Sequence, residues 1–165
     1  MQMRICLASE RTCNRTDNTE GVWLTLPTSR TELEQVIQHI ENDEIKSLIA
    51  DFDAPFIIER HDDVFAINDA AAVFSQYDYR LVYALFGCTE GVDQVIRILK
   101  GGHCIVYYDV DCLRDVADKL VQSGYYGRIP AAVKRYIDFD KIVADLEEAG
   151  WHMQYEVHVA VLPLT

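Results

Sequence analysis

"GVWLTLPTSRTELEQVIQHI", residues 21–40, changes its hydrophobic period from two to 3.6 within twenty residues. In Gly21–Leu26, Val22, Leu24 and Leu26 alternate with Trp23 and Thr25, as on a half-buried strand. Pro27 closes that strand, since proline has no N–H to give to a ladder. Thr28 or Ser29 can then cap a helix over Thr31–Ile40. Leu33, Val36, Ile37 and Ile40 form its apolar stripe, and Glu32 and Glu34 sit near the positive end of its dipole. Outward from this stretch, Met3–Ser9 (MRICLAS) and Lys46–Phe52 (KSLIADF) are apolar enough to be strands, the second stopped by Pro55. Polar residues Glu10–Glu20 are expected to be an exposed loop, and Glu41–Glu44 is polar too. Two strands, a helix and a strand make a small α+β unit over residues 1–59.

The chain beyond Asp62 and Asp63 has another character. VFAINDAAAVFSQYDYRLVYALFG favours helix up to Gly87, with Val64, Ile67, Ala71 and Phe74, then Leu81, Val82 and Leu85, at helical spacing. Thr89 can cap a further helix over Glu90–Leu99, ended by Gly101-Gly102. Residues 60–101 are therefore expected to be a helical middle domain. Residues 102–165 return to α+β: a strand at His103–Val110, then a helix over Cys112–Ser123 capped by Asp111, with Leu113, Val116, Ala117 and Leu120 buried. Two more helices follow, Ala131–Tyr136 with Pro130 in its first turn and Phe139–Ala149 capped by Asp138. The alternating Tyr155–Leu162 ends the chain as a strand. The expected fold class is α+β, with three small subdomains in an elongated chain, the α+β ends flanking the helical middle.

Half of the 165 residues are hydrophobic, enough for a core, and the net charge is -12. Such a chain is repelled by nucleic acid and by anionic membranes, and its natural macromolecular partners are basic surfaces. The charge is uneven: residues 1–59 carry -6, residues 60–101 carry -2 and residues 102–165 carry -4. MQMRICLASER shows no apolar signal region and no run approaches the roughly 20 apolar residues of a membrane span. With five cysteines and no CxxC, reduced thiols and a cytoplasmic location are expected.

Candidate chemistry is thin. His103, Cys104 and His152 could form a Cys–His site, but no recognisable nucleophile turn surrounds a cysteine. His61, Asp62 and Asp63 are the densest potential metal ligands, without a supporting ligand pattern. Gly101-Gly102 and Gly124–Gly127 form no phosphate-binding motif; Tyr107-Tyr108 and Tyr125-Tyr126 could stack bases, but acids such as Asp109 and Asp111 repel a nucleic-acid backbone, so packing or interface roles are expected for them. No catalytic residue, metal or cofactor is assigned. What remains is the acid pattern of residues 102–165: Asp109, Asp111, Asp115, Asp118, Asp138, Asp140, Asp145, Glu147 and Glu148. On the last helix Asp138, Asp145 and Glu148 share one exposed flank and Asp140 and Glu147 the other, while Arg128, Lys134 and Arg135 interrupt the acidity just before it.

The segment Asp115–Gly150 resembles the C-terminal motif of the ArdA antirestriction proteins. Pro130, Tyr136-Ile137-Asp138 and Asp145-Leu146 match it in spacing, as do Gly21-x-Trp23, Ile49-Ala50-Asp51-Phe52 and Pro55-Phe56 in the N-terminal part. Arg128 stands where that family usually has Glu. The resemblance implies three small domains in a curved, elongated chain and no catalysed reaction. It also implies an acidic imitation of the bent DNA bound by type I restriction–modification enzymes, serving mobile elements that enter a new host. It further implies a homodimer through the C-terminal domain, with Pro130, Tyr136, Ile137 and Leu146 as the packed part of the motif. The competing expectations are a non-inhibitory interaction protein of a mobile element and, less so, a Cys/His enzyme.

Overall fold

The computed structural model describes residues 2–10, 21–41 and 46–164. The loop expected at Glu10–Glu20, apart from Glu10, and most of the polar stretch at 41–44 lie outside the described residues. Among those described are seven α-helices and two antiparallel three-stranded sheets, so the fold class is α+β. The chain divides into two compact units, Met1–Tyr79 and Arg80–Thr165.

In the first unit, β1 (Met3–Ser9) lies between β2 (Val22–Leu26) and β3 (Ser47–Asp53). With a strand on either side of β1, Ile5 through Ala8 are all buried, while Arg4 is exposed. Helix α1 (Arg30–Ile40) packs on β1. Ser29 is its cap, its hydroxyl accepting from Glu32 N at 3.1 Å, and Leu33 is fully buried. Gly21 is required by close approach: a Cβ there would stand 2.2 Å from Cys6 Sγ. Trp23 stays half-exposed beneath the Arg4 guanidinium, 4.8 Å from its ring centroid.

The helical run after Asp63 is broken in two, α2 (Val64–Phe74) and α3 (Tyr79–Phe86). Between them Ser75 and Gln76 turn their side chains onto the Ala72 carbonyl, competing with the backbone for helical partners. Asp63 caps α2 by accepting from Phe65 N. Asn68, buried on α2, is satisfied by Thr28: it accepts from Thr28 N at 2.8 Å and donates to Thr28 O at 3.0 Å. Helix α4 (Val92–Gly101) starts later than Thr89, whose hydroxyl instead donates to the Leu85 carbonyl.

In the second unit the sheet order is β4 (Cys104–Tyr108), β6 (Val159–Pro163), β5 (His152–Gln154). The strand expected over Tyr155–Leu162 is thus half turn: Tyr155–Val157 is a 3-10 helix, and His158 adopts φ +53° before β6 begins. Gln154 pairs with Val159, so the chain must reverse within four residues that contain no glycine, proline or asparagine to betray it. Helix α5 (Leu113–Ser123) packs on α7 (Phe139–Glu148), and between them lies the single-turn α6 (Ala131–Lys134). Gly124 at φ +81° ends α5, a conformation that favours glycine. The core of this layer gathers Val110, Leu113, Val116, Ala117, Leu120, Leu146, Trp151, Met153 and Ala160. Tyr107 packs on Trp151 at 5.6 Å between centroids. Ala149 is the C-cap of α7 and is exposed.

Candidate partner-binding surface

The nine carboxylates singled out in residues 102–165 come from three places. Asp109 and Asp111 lie in the connection from β4 to α5, Asp115 and Asp118 on α5, and the other five at the cap of α7 or along it. Their surroundings divide them by task.

Asp109 and Asp111 belong to a tight polar clasp. Asp109 sits at φ +55° and pairs with Arg80 at 3.0 Å; the same guanidinium lies over Tyr108. Asp111 meets His158 Nδ1 at 2.7 Å, and Val110 N donates to the His158 carbonyl. Two non-glycine residues in the left-handed region are thereby held side by side. Tyr83 donates to Glu156 in the same turn, and that bond is the main cause raising the Tyr83 phenol above its ordinary pKa.

Asp111 was expected to cap α5. Its carboxylate is engaged by His158, and Asp115 does the work from within the helix. Asp115 Oδ2 accepts from Asp111 N at 2.8 Å and Cys112 N at 3.2 Å. The bond from Asp111 N is the largest cause holding the Asp115 carboxyl below its ordinary value of 3.8. Asp115→Ala is therefore expected to cost about 1 kcal/mol at neutral pH, the usual scale of a lost cap. Because the folded pKa is depressed, this contribution is complete above the ordinary carboxyl value and disappears as pH falls through the folded one. Urea unfolding of parent and variant should differ at pH 7 and converge on acidification below 3.8.

Asp138 caps α7, accepting from Lys141 N at 3.3 Å, with the Lys141 ammonium 3.9 Å away. Asp140 pairs with Arg114 at 3.4 Å, whose guanidinium also covers Phe139. Asp118 accepts from the Gln122 side chain. Asp145, Glu147 and Glu148 are different: all three are exposed, and none pairs with a base among the described residues. They occupy the last turn of α7, which carries no basic residue. That is the negative end of the helix dipole, where each carboxylate costs about 0.3–1 kcal/mol and cations are the stabilising choice. Helix α7 thus holds three anions where its own stability disfavours them.

The apolar motif residues split. Leu146 is buried and Ile137 half-buried, but Tyr136 is 73 % exposed, with Arg135 stacked 5.0 Å over its ring. Pro130 is exposed as the residue preceding α6, and α6 buries nothing. The chain around it presents Tyr125, Tyr126 and Val133 to solvent.

The family model described as antirestriction protein (ArdA) matches residues 16–159, most of the chain and parts of both units. The chain belongs to the ArdA family. Membership makes it an antirestriction protein and makes restriction enzymes its general class of partner. No curated protein matches the sequence.

Two features of this ArdA-family chain escaped sequence reasoning. The partners of Asp109, Asp111 and Asp140 are Arg80, His158 and Arg114, which lie 29, 47 and 26 residues away, so no local pattern announces them. Asp51 and Asp53 on the edge strand β3 are also exposed. Their i, i+2 spacing puts both on one side of a strand, a signal that was present in LIADFD. The thiols near the Cys/His alternative are shifted away from reactivity. Burial pushes the Cys88 thiol up to about 11, with neighbouring Cys104 adding to it, and burial raises Cys104 as well. A nucleophilic thiol needs the opposite shift. Asp62 and Asp63, two of the densest potential metal ligands in the sequence, serve the backbone, accepting from Glu59 N and Phe65 N. Among the described residues no helix is long and apolar enough to cross a membrane.

Proposed function

We propose that this chain inhibits type I restriction–modification enzymes by presenting carboxylates where those enzymes grip DNA phosphates. The observation that carries the reading is the last turn of α7. Asp145, Glu147 and Glu148 are exposed and unpaired among the described residues, in the position where the helix gains least from them. Local stability given up without a structural partner is the mark of a residue kept for something outside the fold. The remaining acids of the set, Asp109, Asp111, Asp115, Asp118, Asp138 and Asp140, shape and support that surface. A groove that binds DNA through Lys and Arg gains counterion-release free energy from a polyanion of suitable shape, and no reaction is needed.

The inhibitor acts in the cytoplasm, as a homodimer joined through residues 102–165, in a chain of three parts, 1–59, 60–101 and 102–165. Two chains at -12 each match the charge of about 41 Å of duplex, roughly 12 base pairs. The imitation is thus of a short, bent segment, and mobile elements are the setting in which it is useful.

The test is a restriction assay in cells. Expression of the protein should raise the plating of unmodified phage on a host carrying a type I system by at least an order of magnitude. Full restriction at expression levels where a strongly acidic relative relieves it overturns the reading. That result would favour a non-inhibitory interaction protein, a reading supported by the three carboxylates that already pair with internal cations, Asp109, Asp138 and Asp140.

A further inference from the structure

The turn that carries His158 is fixed along its backbone. His158 N donates to Tyr155 O at 3.4 Å, its carbonyl accepts from Val110 N at 3.2 Å, and Gln154 pairs with Val159 across the turn. A residue so held at φ +53° keeps its ring in one place, with Nδ1 2.7 Å from Asp111 Oδ1. A carboxylate can only accept, so Nδ1 carries the hydrogen of this contact. Nε2 is then the nitrogen that takes up or releases a proton, and the contact stands in both forms of the ring. What differs between the two forms is charge. Beside a neutral ring Asp111 is a net anion, and beside an imidazolium its charge is cancelled.

The charged groups around this ring are engaged in other contacts. From the connection of β4 to α5 comes Asp109, which pairs with Arg80 of the second unit at 3.0 Å. From α5 comes Asp115, which accepts from Asp111 N and Cys112 N. On the turn itself Glu156 accepts from Tyr83 of α3, and Tyr155 is exposed. Histidine is the side chain whose charge ordinarily changes between about pH 5 and 8. The pair is open to water, with the His158 side chain 60 % and that of Asp111 84 % exposed. An ion pair this open adds little to stability, so its main consequence is the field that Asp111 presents.

We propose that His158 is a positioning residue that makes the acidic surface sensitive to pH. It holds Asp111 in place at all times, and offers its charge to a basic partner only while the ring is neutral. The proposal rests on the inhibitor reading above and deepens it, because it names a condition that weakens binding. A groove lined by Lys and Arg favours the neutral ring, so docking expels the proton from Nε2. Affinity therefore falls as the pH falls, without a change of fold.

His158→Asn isolates the effect. Asparagine is among the residues that accept the left-handed region, its Nδ2 is bonded to Cγ as Nδ1 is, and it takes no charge. Circular dichroism confirms that the variant is folded. In competition against DNA for a purified type I restriction enzyme at 0.15 M salt, parent and variant should match at pH 8. At pH 5.5 the parent should bind about fivefold more weakly than the variant. That is the effect of one charge at a slope of about 0.9 in log affinity, taken from 1 M to 0.15 M salt. His39, His61, His103 and His152, like the histidines of the enzyme, are common to both measurements and cancel in the ratio. A second readout needs no partner: between pH 8 and 5.5 the carboxyl 13C signal of Asp111 should move with the His158 ring signals in the parent and stay still in the variant. An Asp111 signal that does not follow the ring, or one pH profile shared by parent and variant, overturns the role of His158 and leaves the inhibitor reading intact. A parent that competes at no pH overturns the inhibitor reading, and this consequence with it.

Discussion

Replacing Asp145, Glu147 and Glu148 together by Asn, Gln and Gln is expected to weaken binding to a type I restriction enzyme by about a hundredfold at 0.15 M salt. The figure follows from counterion release. Each duplex phosphate contact contributes a slope of about 0.9 in log affinity against log salt, so three lost charges lower the slope by about 2.7. Extrapolated from 1 M to 0.15 M salt, that is about two orders of magnitude. The substitutions should not damage the fold. All three positions are exposed and lie at the negative end of the α7 dipole, so neutralising them stabilises the helix by about 0.3–1 kcal/mol each. Asp138→Ala is the control of opposite sign: it removes the cap of α7, loses the Lys141 contact and leaves the three terminal acids in place. Competition of the protein against DNA for purified enzyme, repeated across a salt series, measures both affinity and slope. A triple variant that competes as well as the parent with an unchanged slope would remove the electrostatic basis of the proposal.

Phe74→Ala is expected to destabilise the protein by about 3–5 kcal/mol, the range for deleting a buried aromatic side chain. Phe74 is 1 % exposed and heads the largest fully buried side chains. Its ring meets Phe56 edge-on, with centroids 6.1 Å apart at 67°, so truncation opens a cavity and removes an aromatic pair. Domains of this size are stable by only about 5–15 kcal/mol, so the variant should unfold at a markedly lower urea concentration. The conservative Phe74→Leu should recover much of the loss. A midpoint unchanged by the alanine substitution would mean that α2 does not anchor the first unit as its packing indicates.

Several elements were legible because the information is local. The alternation of Val22–Leu26, the serine before α1 and the stripe Leu113, Val116, Ala117, Leu120 each need only neighbours in sequence to be read. The same holds for Asp138, whose carboxylate sits three residues before the N–H it binds. Elements were misread where two local signals compete or a long-range pairing decides. Tyr155–Leu162 alternates like one strand, yet the pairing of Gln154 with Val159 folds it into a turn and a shorter strand. Asp111 has the right place to cap α5, but His158, forty-seven residues away, takes its carboxylate and Asp115 caps in its stead.

By itself, the order of residues determined that this protein is an acidic α+β chain of the ArdA type, because periodicity, caps and motif spacing are properties of short segments. Net charge too is only a sum over residues. The tertiary structure alone decided which charges are free to act. A carboxylate's field depends on what lies within a few ångströms of it, and folding brings Arg80 to Asp109 and Arg114 to Asp140 while leaving the end of α7 bare. It also set Asp118 beside Lys134 and Arg135, turning what looks in one dimension like a flaw in the acidity into a cleft of mixed charge.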